Sequence, residues 1–154
     1  MKKSAFCPPW LAGALALALA GSGCETTAPT AAQPVPQATP SANVPKLQVW
    51  KDTEMLAARE QGRGALIGGG ASMNPIYGDN TMLVVTPIGY DDLRVGMYVV
   101  YLNRYNRRVA HVLIAKEAKG WRAQGLNNPE QDNDLVTPTN LIGVVYASLV
   151  HEEK

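Results

Sequence analysis

The stretch of this chain best suited to chemistry is GGGASMNPIYGD, residues 68–79, where Ser72 follows three glycines and stands three places before a proline. Glycines remove side chains from the backbone, leaving its N–H groups and the space beside them open to whatever must come close. A serine hydroxyl in such a place can attack a carbonyl once a neighbouring base takes its proton. Three other glycine-motif readings fail on spacing or context. A phosphate-binding loop needs Gly-Lys-Ser/Thr, and no lysine precedes Ser72. A dinucleotide fingerprint needs a strand–helix–strand setting. The nucleophile elbow G-x-S-x-G is half matched, because Asn74 stands where its last glycine would be.

The elements around Ser72 must supply the rest. Residues 52–62 (DTEMLAAREQG) read as one short helix, with Asp52 as N-cap and Gly62 as stop. After Ser72 the pattern turns to β. Residues 81–86, 97–102, 109–115, 121–124 and 141–150 are short runs rich in β-branched and aromatic side chains, separated by turn formers. Hairpin-length connections predict antiparallel pairing, so the fold class expected is mainly β, a coiled sheet or open barrel with one short N-terminal helix. Asp79 and Asp92 read as turn residues, Arg104, Arg107 and Arg108 as solvated flanks of a hairpin turn, and His151 as inert.

The remaining composition narrows the function classes. With 14 Lys+Arg against 13 Asp+Glu, no global field draws the chain to nucleic acid. Aromatic content of 6% also argues against a base-stacking surface. Lys2-Lys3 followed by the apolar LAGALALALA form an export signal too short to span a bilayer. Gly21-Ser22-Gly23 then abuts Cys24, which resembles a bacterial lipoprotein signal: residues 1–23 would be removed and Cys24 lipidated. Glu25 after the cysteine favours the outer membrane by the same resemblance. Cys7 lies in the removed segment, leaving no disulfide and no cysteine for a metal site or thiol nucleophile. Residues 24–45, rich in Pro, Ala and Thr, read as a disordered tether, and residues 46–154 as the folded domain.

Ser72-Met73-x-Pro75 with Gly78-Asp79 close behind resembles the nucleophile box of the type I signal peptidases and their relatives, the self-cleaving SOS-response repressors. Four further segments follow in that family's order. Leu93-Arg94-Val95-Gly96-Met97-Tyr98-Val99-Val100-Tyr101 resembles its "l-x-x-GD-x-V-v-y" strand, and Val109-Ala110-His111-Val112-Leu113 the strand that carries its base. Gly125-Leu126-Asn127-Asn128-Pro129-Glu130-Gln131-Asp132 resembles its "GDxNPxxD" loop, and Leu141-Ile142-Gly143-Val144-Val145 its closing "iiGkv" strand. The resemblance spans residues 66–147. The chain departs from it at Leu126 and Met97, each in place of an aspartate, and at Val112 in place of an arginine.

The resemblance implies a Ser-His-Asp site. His111 would be the base, as in the endoplasmic-reticulum and archaeal branch, where the bacterial branch uses lysine. Asp132 would orient it, with Asp134 as the fallback. Gly70, Ala71, Met73 and Pro75 would form the oxyanion and substrate-strand edge, the N–H of Ser72 itself being the main oxyanion donor. No cofactor or metal is implied. The expected function is a membrane-tethered serine endopeptidase in the bacterial cell envelope, on the periplasmic side, cutting an extended segment of an exported polypeptide. The alternative is a non-catalytic lipoprotein β-domain that binds a peptide or an envelope component in the same groove.

Overall fold

The computed structural model describes residues 39–153. The signal segment, Cys24 and most of the expected tether therefore lie outside the described residues. Among the described residues no helix is long and apolar enough to cross a membrane. The fold is mainly β: one open six-stranded antiparallel sheet and one short α-helix. Helix α1 is Lys46–Ala57, and the strands are β1 Gly64–Ile67, β2 Thr81–Thr86, β3 Tyr98–Leu102, β4 Arg108–Glu117, β5 Gly120–Gln124 and β6 Leu141–Val150. A single 3-10 turn, Tyr90–Asp92, leads towards β3.

The strands other than β1 fall where alternation and β-branching place them. β1 was not expected, because its four residues, GALI, carry too short a pattern to read. The helix also starts earlier than its N-cap signal implies. Pro45 occupies the N-cap, and its carbonyl accepts from the N–H groups of Gln48 and Val49. Asp52 is thus mid-helix, where Gln48 Nε2 donates to it at 2.9 Å. Val49, Thr53 and Ala57 form the buried stripe that sets the helix on β2 and β1. That stripe, rather than the cap signal, fixes where the helix runs, and Gly62 lies in a later turn at φ +85°. Residues 39–45 run along the domain: Asn80 Nδ2 donates to the Pro40 carbonyl at 2.8 Å, and Glu152 N–H to that of Val44 at 3.0 Å.

Strand order is β1-β2-β6-β3-β4-β5. Hairpins join β3 to β4 and β4 to β5, but β2 and β3 are not neighbours, because β6 is inserted between them. Core residues alternate across β3. Val99 and Tyr101 enter one cluster with Leu93, Leu113, Trp121 and Val136, whereas Val100 enters a second with Leu83 and Val85. Register shifts interrupt the β2–β6, β3–β6 and β4–β5 pairings. Such irregularities bend strands and increase their twist. The curl is deep enough that Leu66 of β1 and Ala110 of β4 pack on the same cluster, although three strands separate them in the sheet.

Candidate active site

Ser72 does not begin a long strand, and His111 is not on a strand next to β2. The serine sits in the turn-rich connection between β1 and β2, and His111 is carried by β4. The curl of the sheet brings them together. His111 Nε2 lies 3.1 Å from Ser72 Oγ, and His111 Nδ1 lies 2.6 Å from Asp132 Oδ2. Donating Nδ1–H to the carboxylate leaves Nε2 free to accept the serine proton, a tautomer inferred from the partners on each side. His111 is 6% exposed, so its ring is held among protein atoms.

A fourth group belongs to this chain of contacts. Tyr101, on β3 and 1% exposed, donates its hydroxyl to Asp132 Oδ2 at 2.7 Å, the same oxygen that holds His111. Burial pushes the Tyr101 phenol up, and its hydrogen bond to Asp132 pushes it further. The hydroxyl therefore remains a donor. Sequence reasoning read Tyr101 only as part of a strand. Its place opposite Val109, two residues before His111, is the signal that could have marked it.

The backbone of Asp132 is tied to β5: its N–H donates to the Ala123 carbonyl at 2.9 Å, and its carbonyl accepts from Arg122 Nη1 at 2.8 Å. Arg122 is itself held by Glu117, whose carboxyl that pairing keeps below the usual carboxylate range. Asp134 is committed elsewhere. It accepts from the Arg104 backbone N–H at 3.0 Å and from Arg104 Nε at 2.7 Å, and the backbone bond leads in holding its carboxyl low. Of the two aspartates, only Asp132 reaches the histidine.

The loop of Ser72 is fixed from both sides. Asn127 donates its backbone N–H to the Ser72 carbonyl at 2.8 Å and its side-chain amide to the Ala71 carbonyl at 3.1 Å. Gly125 must be glycine for this contact, since a Cβ there would lie 2.7 Å from the Ser72 carbonyl oxygen. Tyr77 packs edge-on to Tyr98, their ring centroids 5.6 Å apart, which pins the far end of the loop to β3. Gly70 adopts φ +81°, a conformation side chains disfavour. Its N–H donates to Asp79 Oδ1 at 2.6 Å, so it is already engaged and is no open oxyanion donor. Met73 is buried, and its carbonyl caps a turn by accepting from Ile76 and Tyr77 N–H; Pro75, which has no N–H, lies in that turn. Neither presents a free strand edge. Ser72 N–H donates to no group among the described residues, and it remains the main candidate for an oxyanion.

A cavity of about 300 Å³ opens beside Ser72 and His111, lined also by Gly68, Gly69, Tyr77 and Leu83. Among the described residues no His, Cys, Asp and Glu side chains are grouped to hold a metal ion. His151 is buried, with Nδ1 donating to the Glu152 carbonyl, and lines a neighbouring cavity with Gly70 and Ala71. The chain matches no protein-family model and no curated protein.

Proposed function

We propose that this domain is a serine endopeptidase of signal-peptidase type, acting on an extended segment of an exported polypeptide. The observation that carries the reading is the continuous line from Ser72 Oγ through His111 to Asp132, drawn from three separate parts of the chain. In the reaction, Ser72 Oγ attacks the scissile carbonyl carbon as its proton passes to His111 Nε2. Asp132 stabilises the imidazolium and keeps the ring in register. The developing oxyanion is received by Ser72 N–H. Collapse of the tetrahedral adduct breaks the C–N bond, and the His111 proton leaves with the amine. Water, deprotonated by the same imidazole, then releases the acyl group and restores Ser72.

The substrate path suits an extended peptide. β1 is an edge strand, and β5 pairs with β4 only from Val112 onward, so the segment from Arg108 to His111 has an outer edge without a strand partner. Both edges border the cavity system that ends at Ser72. A peptide laid between them would gain main-chain hydrogen bonds, which is strand addition. In the proposal Cys24 carries the lipid that holds the enzyme at the envelope. The binding-domain alternative draws on one observation: Gly70 N–H, two residues before the serine, is engaged by Asp79 rather than open to an oxyanion.

An active-serine phosphonate reagent tests the reading. One adduct is expected, mapped to Ser72 and lost in His111→Ala. Absence of a Ser72 adduct, or an adduct formed as fast without His111, would leave the binding domain in its place.

A further inference from the structure

Beyond the Ser72 cavity the groove continues between β1 and β4 as two adjoining cavities of about 350 Å³ and about 430 Å³. Leu66 and Ala65 line both of these, with Leu83 and Val100 on the floor of one and Val85 on that of the other. Arg108 lines all three cavities, and among their described lining residues it is the only Lys, Arg, Asp or Glu. Two other arginines nearby are paired, Arg104 with Asp134 and Arg122 with Glu117, whereas Arg108 forms no ion pair with any described residue.

We propose, building on the peptidase reading, that Arg108 is a specificity residue and that the preferred substrate carries an aspartate or glutamate a few residues from the scissile bond. Arg108 is exposed, and an exposed guanidinium is hydrated. A peptide strand laid over it displaces that water. A neutral strand would leave the cation stripped and uncompensated. A carboxylate on the strand takes the place of the water with a paired, directional contact that suits the guanidinium fork. Arg108 and Ala110 share one face of β4, and Ala110 packs on the cluster beneath the groove. Arg108 stands three positions before His111 on β4, roughly 10 Å at strand rise. The acidic residue should therefore fall about three to five places from the cut.

The test uses one synthetic library of mixed 14-residue peptides with the full-length protein. Cut sites in wild type are read by mass spectrometry, and peptides retained by Ser72→Ala are read in parallel. Aspartate and glutamate should be enriched about fivefold at one position three to five residues from the cut, and among retained peptides. Arg108→Gln should erase that preference, and Arg108→Glu should replace it with one for lysine and arginine. Arg107→Glu makes the same change in net charge on a neighbour that lines none of the three cavities, and should leave the profile as in wild type. Cleavage without acidic enrichment, or the same shift from Arg107→Glu, would overturn the role of Arg108 while leaving the peptidase intact. Acid-selective retention without any cleavage would uphold Arg108 and remove the peptidase. Neither cleavage nor retention would remove both.

Discussion

Tyr101→Phe isolates one hydroxyl. The ring stays in its cluster with Val99 and Leu113, so the packing is retained and only the 2.7 Å bond to Asp132 is lost. Hydrogen bonds to a charged acceptor contribute about 1.5–3 kcal/mol. The Asp132 side chain is 14% exposed, so water can reach the vacated site and the stability loss should lie near the lower end, about 1–2 kcal/mol. The larger effect should be on the reaction. Oδ2 is held by two donors, and with one gone the carboxylate can swing away from the line to Ser72. Asp132 keeps its backbone ties to β5, so the damage stops short of losing the acid altogether. A loss of about 10- to 100-fold in the rate of Ser72 modification corresponds to about 1.4–2.7 kcal/mol of transition-state stabilisation. The assay is the second-order rate of phosphonate labelling beside a thermal melt. A labelling rate equal to or above wild type in Tyr101→Phe, with Asp132→Asn strongly slowed in parallel, would refute the idea that the tyrosine positions the acid.

Asp132→Asn should slow labelling by about three to four orders of magnitude and Asp134→Asn by a few-fold at most, since only the first touches His111; equal losses would dissolve the distinction. Gly125→Ala should cost about 100-fold through displacement of the Ser72 carbonyl, read as lost labelling in a variant whose circular dichroism is unchanged. Because burial and then Asp132 raise the Tyr101 phenol, the folded state keeps a proton that the unfolded chain gives up above about pH 10. That stability is full below this pH and declines as pH climbs past it, so Tyr101→Phe should show a shallower alkaline decline in denaturant midpoint than wild type. Cys24→Ser should abolish palmitate labelling and release the protein from membranes; unchanged membrane retention would mean that the cysteine is not the anchor.

The strands were legible because each carries its burial in its own residues. TMLVVT, YVVYL and LIGVVYASLV announce themselves by β-branching, and five of the six strands lie on the five expected runs. Their order was not legible. Nothing within residues 141–150 says that they part β2 from β3, because the pairing depends on faces that only the assembled sheet presents. Helix α1 was misplaced because Asp52 has the chemistry of an N-cap, while the true start follows from the docking of Val49, Thr53 and Ala57. At the site, Ser72, His111 and Asp132 could be singled out by their motif, and choosing between Asp132 and Asp134 required knowing that Arg104 holds the latter. Tyr101 was hidden because a tyrosine in a strand looks the same whether it fills a core or holds a carboxylate. Arg108 is exposed, as a solvated turn flank should be, and its place beside three cavities was not legible because the groove arises only when the sheet curls.

The insertion of β6 has a consequence for when the chain can act. The half that carries Ser72, β1 and β2, touches the half that carries His111 and Asp132, β3 to β5, in the sheet only through this strand. It also follows the other five described strands in the chain. Without it the two parts have no shared strand partner, and only contacts outside the ladder, such as Asn127 N–H on the Ser72 carbonyl, tie nucleophile to base. Seating the strand closes long-range pairings on both sides at once, a slow step for a β topology. Completion of the sheet that frames Ser72 and His111 therefore waits on the strand that comes after the other five in the chain.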